Sequence, residues 1–247
     1  MESIRIEIMG NKLYFLFNRK EKNNAFSKEM LNEINKSLEE VTKNEEIKYV
    51  IFRGENGCFG AGADLREVQE LTNNSLKARE FAYALNSFFR KVAEMNKITI
   101  ALVEGFAIGA HLELLMFTDI NIAQTNTYFS TGGVRMGLMP AELSAIYLLF
   151  FGKKFWRYII TAERFNAEVA KELGIIDFVA DNPMDKLKEV IESLDACDFL
   201  AIQKAKKLMQ DFLRLYEKNF DKAKDEFADL IIYGKAKERI KSFFEKR

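Results

Sequence analysis

The sequence predicts an α/β fold with a parallel or mixed sheet and a helical C-terminal region. Two short, continuous apolar runs, residues 49–52 and 98–103, suit strands buried on both faces. Between and around them apolar residues recur at spacings of three and four, the period of a helix. After about residue 184 strand signals disappear and helix formers dominate to the end. This composition shift divides the chain into a core of residues 1–183 and a helical region of residues 184–247.

The elements follow in order. Ile4, Ile6 and Ile8, then Leu13, Phe15 and Phe17, alternate on either side of Gly10-Asn11, the pattern of a β-hairpin. Ser27 can cap a helix whose apolar stripe is Met30, Leu31, Ile34, Leu38 and Val41. Tyr49, Val50, Ile51 and Phe52 form the first buried strand. Leu76, Phe81, Leu85, Phe88 and Val92 mark a helix over residues 75–95, and the second buried strand follows at 98–103. Residues 112–117 read as helix and 120–123 as strand. Asn166 caps a short helix ending at Leu173-Gly174, and residues 175–179 return to strand.

Composition excludes several kinds of function. The 37 basic and 37 acidic side chains balance, so the cationic surplus of a sequence-independent nucleic-acid binder is missing. Two distant cysteines, Cys58 and Cys197, supply neither a disulfide framework nor a zinc knuckle, which points to a reducing cytoplasm. The single histidine, His111, excludes a metal site built on several imidazoles, and no metal is expected. No apolar run reaches the roughly 18–20 residues of a membrane span, and the N-terminus carries no signal-peptide pattern. Chemistry must come from carboxylates, hydroxyls, backbone amides or the one imidazole.

Nine of the 13 glycines fall between positions 54 and 137. Two of these clusters share a layout of strand, small-residue loop and helix. One is Cys58-Phe59-Gly60-Ala61-Gly62-Ala63-Asp64 leading into Leu65, and the other is Gly105-Phe106-Ala107-Ile108-Gly109-Ala110 leading into Leu112. Helix N-termini present free N–H donors, and two of them converging on one carbonyl oxygen would form an oxyanion hole. Tight strand-to-helix turns without a ligand explain the same pattern equally well. Neither cluster has the ending of a phosphate-binding P-loop or the three-glycine dinucleotide spacing.

The first cluster resembles the phenylalanine-(small)-alanine-glycine-x-aspartate-leucine motif of the crotonase superfamily, the enoyl-CoA hydratases and isomerases. The second, continuing through His111-Leu112-Glu113-Leu114 to Asp119-Ile120, is similar to that family's next motif. Further resemblances run along the chain in the same order. They include Phe17-Asn18-Arg19 to Asn24-Ala25-Phe26, with Lys20 where proline is usual, and Thr161 to Gly174. The last is the C-terminal stretch from Ile240 to Arg247. The resemblance implies a crotonase-like core of repeated β-β-α turns in a spiral, with a C-terminal helical trimerisation region. It also implies an acyl-CoA thioester as substrate, no cofactor beyond that coenzyme A, and a homotrimer or dimer of trimers.

Carried over position by position, the resemblance gives the oxyanion-hole amides to Ala61 and Ala110, the latter standing where glycine is usual. Gly62, Ala63 and Asp64 would border CoA together with Ala61. Lys22 and Asn23 fall where the N-terminal loop meets CoA, and Phe243 and Lys246 fall where a neighbouring subunit's CoA is reached. Of the two glutamates of the hydratases, the first is Glu113 and the second position holds Gly133. Three readings stay open: a single carboxylate moving a proton within an enolate, replacement of the missing group by Glu142, or lost catalysis with CoA-thioester binding or scaffolding retained. Burial beside an acyl chain would raise the Glu113 pKa. His111 stands in a normally all-glycine triplet, where it either contacts the thioester or packs against the sheet.

Overall fold

A computed structural model describes residues 3–246, apart from the side chains at 56, 147, 148 and 150. Met1, Glu2 and Arg247, which belong to the two terminal stretches read above, lie outside the described residues. The order is β1 (Ile4–Met9), β2 (Lys12–Phe17), α1 (Lys28–Lys43), β3 (Tyr49–Gly54), α2 (Leu65–Leu71), α3 (Ser75–Glu94), β4 (Ile98–Val103) and β5 (Phe106–Ile108). Then come α4 (Ala110–Leu114), β6 (Ile120–Gln124), β7 (Tyr128–Ser130), α5 (Ala141–Phe150), α6 (Lys153–Thr161), β8 (Phe165–Asn166), α7 (Ala167–Glu172) and β9 (Phe178–Ala180). Four helices finish the chain: α8 (Pro183–Asp195), α9 (Phe199–Arg214), α10 (Glu217–Tyr233) and α11 (Ala236–Glu245).

The main sheet runs β1-β2-β3-β4-β6-β9 and is parallel except for the β1–β2 hairpin. A second, smaller wall contains β5, β7 and β8. Two single bridges extend that wall toward the N-terminus, Phe26 with Ala63 and Gly60 with Ala107. Successive β-β-α turns therefore stack along two walls at once. The hairpin, the helix capped by Ser27 and both buried strands lie where the sequence places them. The 112–117 helix is instead Ala110–Leu114, and the 175–179 strand shrinks to Phe178–Ala180.

The main core lies between the sheet and helices α1, α3 and α10, around Phe15, Phe17, Phe26, Phe52, Phe81, Phe88 and Phe89. At roughly 25 cal/mol per Å², burying side chains of this size dominates the stability. A second core on the other face of the sheet packs Tyr49, Ile51, Ile100 and Ile122 against α8. The C-terminal helices fold back on their own chain: α10 lies against α3 and α5, and α11 lies against α2 and the 3₁₀ turn Gly133–Met136. Among the described residues no helix is long and apolar enough to cross a membrane.

Candidate active site

The bridge between Gly60 and Ala107 brings the two glycine-rich loops side by side. Gly60 N–H donates to Phe106 O at 3.1 Å, and Ile108 N–H donates to Gly60 O at 2.9 Å. Gly62 has φ of +86°, where L side chains are strained, and a Cβ there would stand 2.9 Å from Ile108 O and 3.2 Å from Ala110 N. Only glycine lets the two backbones approach this closely.

Amide donors in the first loop are nearly all committed. Gly60 N–H goes to Phe106 O, Ala61 N–H to Asn23 O at 3.0 Å, Gly62 N–H to His111 Nδ1 at 3.0 Å, and Asp64 N–H to Phe26 O at 2.8 Å. Ala61 N–H, expected to be a free donor, is already hydrogen-bonded to Asn23 O. Among the described residues 60–64 the uncommitted N–H belongs to Ala63. Its direction follows from peptide planarity. Gly62 O accepts from Phe26 N–H at 2.7 Å, so Ala63 N–H, on the other side of the same planar unit, points away from Phe26. In the second loop Gly109 O accepts from Glu113 N–H at 3.0 Å, which turns Ala110 N–H out of the start of α4.

The N-terminal loop braces this arrangement. Arg19 pairs with Asp64 at 3.0 Å and also donates to Ala25 O. Asn24 is fully buried; its amide donates to Cys58 O at 2.8 Å and its oxygen accepts from Arg19 N–H. Asp64 also caps α2 through the N–H groups of Arg66 and Glu67. Its carboxylate holds both Arg19 and the cap, so it shapes the loop. Asn23, in the left-handed region at φ of 50°, and the half-buried Lys22 flank the loop on the 3₁₀ turn Lys20–Lys22 and its cap.

Glu113 projects from α4 into the start of α5. Its Oε2 accepts from Glu142 N–H at 2.7 Å and Leu143 N–H at 3.1 Å, an arrangement favoured by the positive end of a helix. Glu142 is itself buried, and its Oε1 accepts from the Asn86 side-chain amide of α3 at 2.8 Å. Burial, and secondarily repulsion from Glu142, push the Glu113 pKa up to about 8, against the lowering effect of the two amides. Burial also pushes Glu142 up to about 7, opposed by the Asn86 bond, Arg90 and Lys224. The structure thus brings Glu113 and Glu142 together and adds Asn86, which the sequence reading missed. Its one signal is an asparagine sharing a helical face with Ala82 and Phe89.

Gly133 opens the 3₁₀ turn Gly133–Met136. A Cβ there would meet Met139 C at 3.1 Å and Pro140 N at 3.3 Å. His111 is fully buried, stacked on Phe26 with centroids 3.8 Å apart and an 8° interplanar angle. Phe17 and Phe59 meet its ring edge-on. Phe243 and Lys246 lie at the end of α11, with Phe243 half-buried and Lys246 exposed. The guanidinium of Arg66, in the first turn of α2, sits 4.5 Å from the Phe244 ring centroid.

A sequence model of the enoyl-CoA hydratase/isomerase family matches residues 9–247. The chain belongs to that family. Among curated relatives, the short-chain-enoyl-CoA hydratase of Clostridium acetobutylicum is 27% identical over 259 residues, covering 100% of this chain and 96% of that protein. The crotonyl-CoA hydratase of Syntrophomonas wolfei is 31% identical over 192 residues, covering 76% of this chain and 73% of the relative. The crystal structure of an enoyl-CoA hydratase from Bacillus halodurans superposes with a TM-score of 0.89 at 20% identity, covering 97% and 99% of the two chains. An enoyl-CoA hydratase/isomerase from Mycobacterium paratuberculosis gives 0.91 at 19% identity, covering 98% of both chains. The two-walled spiral is therefore the fold of the hydratase/isomerase family, as the resemblance implied.

Proposed function

We propose that the protein hydrates 2-enoyl-CoA thioesters, with Ala63 and Ala110 N–H as the oxyanion hole and Glu113 and Glu142 as the proton-handling pair. The observation that carries this reading is a pair of uncommitted amides, Ala63 and Ala110, on the two loops that approach closely at Gly62. Two N–H donors on the thioester oxygen stabilise the charge that builds up as the enolate forms, where each is worth far more than in water. Hydration adds water oxygen to C3 and a proton to C2. One carboxylate takes the proton from water while a carboxylic acid supplies the other, so the pair's total proton count is unchanged. A proton passing from the first group to the second resets the site. With Glu113 near 8 and Glu142 near 7, both forms are present at neutral pH. Glu142 then stands in for the carboxylate absent at Gly133.

A second reading has its own support. Glu142 is tethered to Asn86 and Gly133 offers no side chain, so Glu113 acting alone would take a proton from C2 of a 3-enoyl-CoA and return it at C4. CoA itself would run past Lys22 and Asn23 and along the Ala61–Ala63 backbone, with Phe243 and Lys246 near its nucleotide end. Exposed Leu208, Met209, Phe212 and Leu215, along and just past α9, support assembly as a trimer or dimer of trimers.

The deciding experiment is turnover of crotonyl-CoA and of a 3-enoyl-CoA by the purified protein and by Glu113→Gln. Hydration lost in the variant supports the reading. Isomerisation without hydration selects the second reading. No turnover of either substrate, with CoA-thioester binding intact, would establish a non-catalytic binder.

A further inference from the structure

We propose that His111 is a positioning residue of the first glycine loop: by accepting the Gly62 N–H it fixes the peptide unit that precedes the one presenting Ala63 N–H to the substrate oxygen. This rests on the reading of Ala63 as an oxyanion donor. Gly62 lies at φ of +86°, and glycine moves more freely than any other residue, so its two flanking peptide units need separate anchors. Phe26 N–H holds the unit on the C-terminal side through Gly62 O. His111 Nδ1 holds the unit on the N-terminal side at 3.0 Å. With both ends tied, the loop presents one free donor in a single direction.

The chemistry of position 111 separates this role from simple filling of space. The ring sits in an aromatic box of Phe17, Phe26 and Phe59 that phenylalanine or leucine would fill as well. A backbone N–H always donates, so Nδ1 is the unprotonated nitrogen and the neutral ring carries its proton on Nε2. Nε2 is buried without a hydrogen-bond partner among the described residues, which costs stability that an apolar side chain would not lose. What the imidazole adds in return is the acceptor at Nδ1. Burial also holds its pKa well below the usual value, so this acceptor stays unprotonated. The stacked Phe26 supplies both backbone groups of the Ala63 bridge, so ring and loop form one unit.

The test compares wild type with His111→Leu and His111→Phe, which remove the acceptor, and with His111→Asn, whose side-chain oxygen can replace it. Hydrogen exchange of the Gly62 amide is followed by NMR beside kcat and KM for crotonyl-CoA. In the acceptor-free variants Gly62 exchange is expected to rise at least about tenfold. Their kcat is expected to fall about ten- to hundredfold at nearly constant KM, less than the ~10²–10³ of deleting a donor outright. His111→Asn is expected to recover most of both. Unchanged Gly62 exchange in the acceptor-free variants overturns the proposal, as does raised exchange with unchanged kcat. A wild type that turns over no enoyl-CoA overturns the functional reading alone. Gly62 exchange would still show separately whether His111 holds the loop.

Discussion

His111 occupies the space that any side chain at position 60 would need. A Cβ on Gly60 would stand 2.1 Å from Nε2, 2.2 Å from Cδ2 and 2.4 Å from Cε1 of the imidazole. Gly60 has no positive φ, so room and not backbone conformation demands glycine here. The stacked ring cannot retreat, and Gly60→Ala should cost about 1–3 kcal/mol through overpacking. In a His111→Gly background these three contacts are gone and the same substitution should cost less. Urea unfolding of the four proteins, treated as a double-mutant cycle, should give a coupling above about 1 kcal/mol. Additive effects would show that the ring can move aside.

Two carboxyls with raised pKa values should leave a mark on the rate profile. If both take part in hydration, kcat/KM is bell-shaped in pH, because one group must hold a proton and the other must not. Glu113→Gln should lower kcat about 10²–10⁴-fold. Glu142→Gln should remove one limb of the bell and spare isomerisation of a 3-enoyl-CoA. A Glu142→Gln protein with the wild-type hydration profile would remove Glu142 from the mechanism.

Asn86 acts on that profile at one remove. Its amide bond to Glu142 favours the ionised carboxylate. Asn86→Leu takes this bond away, so the limb belonging to Glu142 should move to higher pH. A pH titration of kcat/KM checks it; no movement of either limb would mean that the bond has no influence on the titration.

The fold was legible wherever one element carried its own pattern. Alternation exposed the hairpin, and runs such as residues 98–103 exposed the buried strands. The second wall was not legible, because β5, β7 and β8 are two or three residues long and too short to show a period. The commitment of Ala61 N–H to Asn23 O was not legible either, because it depends on the N-terminal loop folding over the first glycine loop. Asn23 O, which accepts from Ala61 N–H, and the Phe26 bridge to Ala63 separate the two amides, and these partners lie 38 and 37 positions apart in sequence. Glu113 was legible through its motif. The burial of Glu142 against Asn86 was not, since it depends on α3 and α5 meeting in space.

Restoring a glutamate at position 133 should not restore a simpler site. A Cβ there presses on the backbone at Met139 and Pro140, at 3.1 and 3.3 Å, where a flexible side chain cannot yield. Gly133→Glu is therefore expected to destabilise by about 1–3 kcal/mol and to displace the turn that leads into α5. Because Glu113 is held by the first amides of α5, hydration should fall rather than rise. A gain in crotonyl-CoA hydration would show that the turn adapts without moving Glu113.

Stability should decline as pH rises from about 4.5 to about 8, and Glu113 should be the main cause. Its carboxyl titrates near 8 in the folded protein against 4.5 for the free group, and Glu142 near 7. Between those values the folded state holds more protons than the unfolded chain. The stability these groups contribute is therefore fully present below about 4.5 and is lost as pH rises through 7 and 8. His111 works in the opposite sense. Its folded pKa lies well below 6.5, so its contribution is lost on acidification below that value. Unfolding midpoints in urea should fall from pH 6.5 to pH 9. Glu113→Gln should flatten that decline, and His111→Leu should flatten the loss on the acid side. An alkaline limb of equal slope in Glu113→Gln would mean that Glu113 ionises in the folded protein without hindrance.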